Sequence, residues 1–294
     1  MYNARGLAKY RDRKYQEALT LFDRAIEANP KFAEAYTNRG MVYAVQANFA
    51  KAIEDHDHAI QLKPSLAQAF NNRGYTFILK SDFDTAIVDL NQALKIDSKM
   101  PIGFSNRCLA YYHKQNYDKA IEDCTNAIRF DPKLAIAWSN RGLARHELGE
   151  DESALKDFDR ALKLDPTMGA GFNNRGLVYL TLGQLDKALE DLDKAIRISP
   201  NDFQGYQIRA QTYEKLGELD NALNDYNKVI ELEPNSPDAR LRRALCYRKQ
   251  GNNELAVADF EWVSKNSKDP DELGVAEDFL IELTPKKQVR TIAR

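Results

Sequence analysis

Proline recurs on one 34-residue grid along this chain, at Pro30, Pro64, Pro132, Pro166, Pro200 and Pro234, with Ser98 in the remaining slot. A fixed period of this length marks a repeat architecture. Each unit is then one supersecondary element that buries its apolar face only by stacking on its neighbours. Placing the proline at position 32 divides the chain into units 1–32, 33–66, 67–100, 101–134, 135–168, 169–202, 203–236 and 237–270, the first lacking its first two residues. Position 20 is alanine in every unit: Ala18, Ala52, Ala86, Ala120, Ala154, Ala188, Ala222 and Ala256. Position 8 is small throughout, as Gly6, Gly40, Gly74, Cys108, Gly142, Gly176, Ala210 and Ala244. Position 4 is aromatic at Tyr2, Tyr36, Phe70, Phe104, Trp138, Phe172 and Tyr206, with Arg240 last.

Positions 4, 8 and 11 share one face of a first helix, and positions 17, 20, 21, 24, 27 and 28 form the apolar stripe of a second. Small residues at 8 and 20 let the two backbones approach. Gly149, Gly183, Gly217 and Gly251 at position 15 supply the left-handed residue that a helix C-terminus favours. The proline at 32 ends the second helix. Pro270-Asp271-Glu272 opens a capping helix over 271–283, with Val275, Phe279 and Leu280 on one side, and a basic tail follows over 284–294. The expected fold is all-α: an alpha-alpha superhelix (solenoid) of eight tandem 34-residue helix-turn-helix repeats plus the C-terminal capping helix.

These aromatic, glycine, alanine and proline columns resemble the tetratricopeptide repeat family, from Met1 to about Pro270. The resemblance implies an interaction scaffold whose first helices line an inner, concave surface. One column departs from the family, which usually has an apolar residue at position 7. Here it holds Arg5, Arg39, Arg73, Arg107, Arg141, Arg175, Arg209 and Arg243. Unpaired guanidinium groups beside a core are costly to desolvate. Position 23 supplies Asp55, Asp89, Asp123, Asp157, Asp191, Asp225 and Asp259, which predicts one structural ion pair per repeat. Leu21 stands in the Asp slot of the first unit, so Arg5 is expected to be exposed.

Asparagine recurs at position 6 as Asn38, Asn72, Asn106, Asn140 and Asn174. That position lies about 200° round the helix from position 4, away from the core stripe. The arrangement is similar to the asparagine ladder in the repeat domain of the O-GlcNAc transferases, whose glycosyltransferase domain has no counterpart here. An amide carries a donor and an acceptor, so a row of them can hold the backbone of an extended peptide without reading its side chains. The alternative left open is that these side chains bond the neighbouring helix. Beside them on position 9 lie Met41, Tyr75, Leu109, Leu143 and Leu177, an apolar floor suited to hydrophobic peptide side chains.

Other functions find less support. Near-balanced charge, 42 Lys and Arg against 44 Asp and Glu, argues against a general nucleic-acid binder. The family's carboxylate-clamp slots at positions 2, 5 and 6 hold Glu34, Thr37, Gln68, Asn71, Ile102, Ser105, Ile136, Ser139 and Asn173, none basic before Arg242. A milder basic cluster, Lys215, Arg242, Arg248 and Lys249, marks the later repeats. His113, His146 and Glu147 are too few for a metal site, and His56 reads as a core residue. Cys108 and Cys124 fall on core columns 8 and 24, where close approach is allowed but no functional disulfide is indicated. Arg145 replaces the usual aromatic at position 11, which suggests looser packing there.

No phosphate loop or nucleophile–base grouping appears, so no enzyme activity, cofactor or metal is expected. No apolar run is long enough to span a membrane. The start shows no signal peptide and three cysteines fit a reducing compartment; a cytoplasmic location is expected for a full-length chain, and none follows for a fragment. The expected function is a scaffold or adaptor that binds an extended or helical peptide segment of a partner protein. A regulatory region of a larger protein and self-association remain open, with helical-repeat RNA binding the weakest alternative.

Overall fold

The computed structural model describes residues 1–283; the basic tail over 284–294 lies outside them. Seventeen helices and no strand occur among the described residues. They run as α1 Tyr2–Arg11, α2 Tyr15–Ala28, α3 Ala33–Val45, α4 Phe49–Leu62, α5 Ala67–Leu79, α6 Phe83–Ile96, α7 Pro101–His113, α8 Tyr117–Phe130, α9 Ala135–Glu147, α10 Asp151–Leu164, α11 Gly169–Thr181, α12 Leu185–Ile198, α13 Phe203–Leu216, α14 Leu219–Leu232, α15 Pro237–Lys249, α16 Asn253–Asn266 and α17 Pro270–Leu283. Two compact units follow the chain, Met1–Leu164 and Asp165 onward. Within each, antiparallel helix pairs stack in sequence order, the arrangement of the all-α, alpha-alpha superhelix (solenoid) class.

The constant columns explain the pairing. Every position-20 alanine is fully buried. A Cβ added to Gly74 would meet the Leu90 Cγ at 2.8 Å, and one on Gly40 would meet His56 Cε1 at 2.7 Å. Position 8 must therefore stay small for position 24 to fill the space beside it. Where position 8 is Cys108 and position 24 is Cys124, the two sulfurs are joined in a disulfide, with Cα atoms 5.5 Å apart. The close approach that the two core columns allow is thus a bond, which the sequence reading does not indicate. The backbone approach that seats a small residue against a large one elsewhere here brings two thiols together, and Cys246 is the free cysteine.

Position 15 is left-handed in every repeat, not only in those with glycine. Arg13, Ala47, Ser81 and Gln115 have φ between 57° and 62°, and Gly149, Gly183, Gly217 and Gly251 between 71° and 79°. Each residue at position 16 donates its backbone N–H to the carbonyl of position 11, as Asn48 does to Tyr43 at 2.9 Å and Gln184 does to Tyr179 at 2.8 Å. The turn thus reaches back over the end of the first helix before the second begins.

The arginine column is bidentate. Nε and Nη2 of Arg39, Arg73, Arg107, Arg141, Arg175, Arg209 and Arg243 donate to the two carboxylate oxygens of Asp55, Asp89, Asp123, Asp157, Asp191, Asp225 and Asp259, at 2.6–2.9 Å. Arg5, with no carboxylate in its own repeat, is exposed. A second contact escaped the sequence reading. The Nη1 of Arg39, Arg73, Arg107, Arg141, Arg209 and Arg243 donates to Asp23, Asp57, Asn91, Thr125, Asp193 and Asn227, all at position 25 of the preceding repeat.

Each of these guanidinium groups therefore pins its own hairpin and ties it to the one before. In the repeats with a ring at position 4 it also lies over that ring, 4.8 Å from the Trp138 centroid for Arg141 and 5.5 Å from Tyr36 for Arg39, whereas Arg243 lies over Tyr247. Pairing with Asp55 and Asp23 raises Arg39 above the ordinary guanidinium range, while burial pushes the Asp55 carboxyl up against the pull of its partner. Arg145, which stands in an aromatic column, joins this network, while its Nε is buried with no hydrogen-bond partner. Its Nη1 donates to Asp157 at 2.7 Å, giving that carboxylate a second arginine.

At the C-terminal end α17 packs Ala276, Phe279, Leu280 and Leu283 against a cluster that includes Leu241, Phe260 and Val263. Val275, expected on the packed side, is 37% exposed, and Ala276 takes its place.

Candidate peptide site on the first helices

The inner residues of α1, α3, α5, α7 and α9 line one cavity of ≈280 Å³ in the first unit. Its walls are Tyr10, Met41, Ala44, Val45, Asn71, Asn72, Tyr75, Ile102, Asn106, Leu109, Ile136 and Asn140. Three of the five ladder asparagines and three of the five apolar floor residues thus meet here. Asn38, Leu143 and Asn174 line no cavity described here, and Leu177 lines a different one in the second unit.

The amides are not equivalent, and the alternative, bonding to the neighbouring helix, is realised at Asn38 and Asn106. Asn38 is buried and donates to Asn3 Oδ1 at 2.9 Å, a contact with the neighbouring helix. Asn106 donates to Asn71 Oδ1 at 3.0 Å, and Asn71 donates in turn to Asn72 Oδ1 at 3.0 Å. This relay leaves the Asn106 carbonyl as an acceptor and the Asn72 NH2 as a buried donor with no partner. Asn140 lines the cavity with no hydrogen-bond partner among the described residues, and its amide, unlike Asn72 Nδ2, is not wholly shut off from water. A polar group taken from water without a partner is costly. Asn71, on position 5, is the link that column-by-column reading missed.

Around the amides the wall is apolar. Val45, Leu79, Ile102 and Ile136 are 39–42% exposed on the same set of helices. Ile102 and Ile136 occupy position 2, a slot the sequence reading marked only as lacking a base. Large aliphatics held at this exposure around orphan amides suit a ligand with an amide backbone and apolar side chains.

A larger cavity, ≈650 Å³, opens between α3 and α4 over Arg39, Asp55 and Asp57. Asp55 and Asp57 already serve Arg39 and Arg73, which leaves Glu54 as the carboxylate of the lining not bonded to either arginine. His113 stacks on Phe83 with ring centroids 4.8 Å apart, while His146 Nδ1 lies 2.6 Å from Asp151. The two histidines are therefore engaged separately. Among the described residues no group of three or more His, Cys, Asp and Glu could hold a metal ion, and no helix is long and apolar enough to cross a membrane.

Comparison with known proteins bears on the whole chain. Profiles described as "Tetratricopeptide repeat" match residues 3–67, 67–100, 135–168 and 170–202, and one described as "TPR repeat" matches 109–149 and 210–251. Together these stretches cover well over half of the sequence, and none of the profiles describes an enzyme. No curated protein matches the chain in sequence.

Among solved structures, "Crystal structure of APC/C hetero-tetramer Cut9-Hcn1" superposes with a TM-score of 0.79 at 16% identity, over 92% of this chain and 52% of that one. The chain thus spans about half the length of that relative. Yeast Tom70 superposes with a TM-score of 0.61 at 19% identity, over 96% and 61%. The pilF protein of Pseudomonas aeruginosa does so with 0.63 at 20%, over 74% and 97%. At these identities the likeness is one of fold.

Proposed function

We propose, from the premise that this chain belongs to the tetratricopeptide repeat family, that it is a protein-interaction scaffold holding an extended or helical peptide segment on its first helices. The contact surface in this reading is the cavity of the first unit. The observation that carries it is a pair of amides on the cavity wall: Asn72, whose Nδ2 is buried with no partner, and Asn140, which has no hydrogen bond among the described residues, both beside apolar side chains.

An extended segment laid there would satisfy Asn140 with its main chain. It would give a donor to the Asn106 carbonyl and press apolar side chains against Ile102, Leu109 and Ile136. Each such hydrogen bond contributes about 0.5–1.5 kcal/mol, so several must act together. Selection from a displayed peptide library against the chain tests this. The expected winners carry apolar side chains, and changing Asn72, Asn106 and Asn140 together to Ala weakens them at least about tenfold, equivalent to roughly 1.4 kcal/mol. Equal affinity for the triple variant would overturn the reading.

A further inference from the structure

The second unit carries a cavity of ≈400 Å³ that the proposed function leaves unused. It is lined by α11 through Leu177, Leu180 and Thr181, by α13 through Gln211, Glu214 and Lys215, and by α15 through Arg242 and Lys249. Three cations therefore share one cavity with one carboxylate.

Their commitments are partial. Lys215 donates to the Leu180 carbonyl at 3.2 Å, which leaves two of its ammonium protons. The Arg242 Nε donates to Asp238 Oδ1 at 2.9 Å, and the other oxygen of Asp238 accepts from Gln207 at 2.8 Å. The two Nη groups of Arg242 have no partner among the described residues. Lys249 is half exposed and reaches the Glu214 carboxylate only at 3.9 Å. Glu214, the one acidic residue of the lining, also accepts from the Tyr226 hydroxyl. Neighbouring Arg248, part of the same cluster in sequence, is turned away to Glu282, with its guanidinium over the Phe279 ring.

Excess positive charge beside an aliphatic wall defines the ligand. A carboxylate on a short methylene stem would place its charge by Arg242 and the lysines and its carbons against Leu177 and Leu180. The stretch over 284–294 has the wrong sign for it, with Lys286, Lys287, Arg290 and Arg294. We propose that this cavity is a binding site for acidic side chains, Glu or Asp, of a partner peptide. It shares no residue with the amide-lined cavity and stands independently of it.

The test is fluorescence anisotropy on the full chain, with fluorescein-labelled tetraglutamate amide and tetraglutamine amide as probes. Tetraglutamate is expected to bind at least about tenfold more tightly than tetraglutamine, and more weakly as salt rises. Arg242→Glu combined with Lys249→Glu should weaken it by about tenfold or more, and Arg248→Gln by less than about twofold. The exposed Lys249→Gln variant, with melting followed in parallel, should still weaken binding and so separates loss of the site from loss of the fold. Equal binding of the two probes, no binding of tetraglutamate, or indifference to the Arg242 and Lys249 changes would overturn the proposal.

Discussion

The cavities of the two units share four positions of the same repeat and differ in chemistry, the first adding positions 2 and 5 through Ile102, Ile136 and Asn71. Positions 6, 9, 12 and 13 contribute to both. In the first unit they present Asn72, Asn106 and Asn140 with Met41, Tyr75, Leu109, Ala44 and Val45; in the second they present Arg242, Leu177, Gln211, Glu214, Lys215 and Lys249. The columns that hold the hairpins together, 7, 20 and 23, hardly vary between the units. If the two proposed sites are right, scaffold and specificity occupy different columns, and a ligand preference can differ between repeats without disturbing the packing.

If that division is right, breaking the scaffold should do equal damage in either unit. Asp89→Ala and Asp225→Ala each leave a bidentate arginine beside the core without its main partner, and each should destabilise by about 3–5 kcal/mol in urea denaturation. A large effect in one unit and none in the other would contradict a common scaffold.

Next in size is a pH effect confined to the first unit. His56 occupies the position-24 slot filled by Leu90, Phe158, Leu192 and Phe260 elsewhere, and neither ring nitrogen has a partner. Burial, with a smaller contribution from Arg73, lowers its pKa from 6.5 to about 3. The folded state then resists a proton that the unfolded chain accepts. Stability is complete above the unfolded value of 6.5 and falls as the pH drops from there towards 3, by about 1.4 kcal/mol per unit. His56→Leu should remove that slope, as followed by denaturation between these limits; an unchanged slope would place the acid sensitivity elsewhere.

The smallest expected effect concerns the turns. The first four repeats put Arg13, Ala47, Ser81 and Gln115 in the left-handed region, where the last four have glycine. A side chain there costs about 1 kcal/mol. Ala47→Gly and Ser81→Gly should each raise stability by roughly that amount, and Gly183→Ala should lower it similarly. Melting temperatures that move the other way would show that chain entropy outweighs the strain.

These contrasts also mark what the sequence could convey. Columns of one residue type were legible: alanine at position 20 as the close contact, and arginine at 7 facing aspartate at 23. Position 25 was not, because Asp57, Asn91, Thr125 and Asp193 share only an acceptor oxygen, and a reading by residue type does not group them. The left-handed turn was visible where glycine announced it and hidden at Ala47 and Gln115. The asparagine column was seen as a uniform row. Its members diverge because the residue at position 5 differs: Asn3 and Asn71 offer amide oxygens to Asn38 and Asn106, whereas Ser105 offers none to Asn140. The same variation hid the Asn106–Asn71–Asn72 relay.

The central claim is that the free amides of the first unit hold a peptide main chain. A crystal structure of the chain with its tightest display-selected peptide tests that directly. The account predicts a peptide backbone N–H or carbonyl within about 3.2 Å of the Asn140 amide, and apolar side chains on Ile102 and Ile136. A peptide bound elsewhere, with Asn140 still unpartnered, would contradict it.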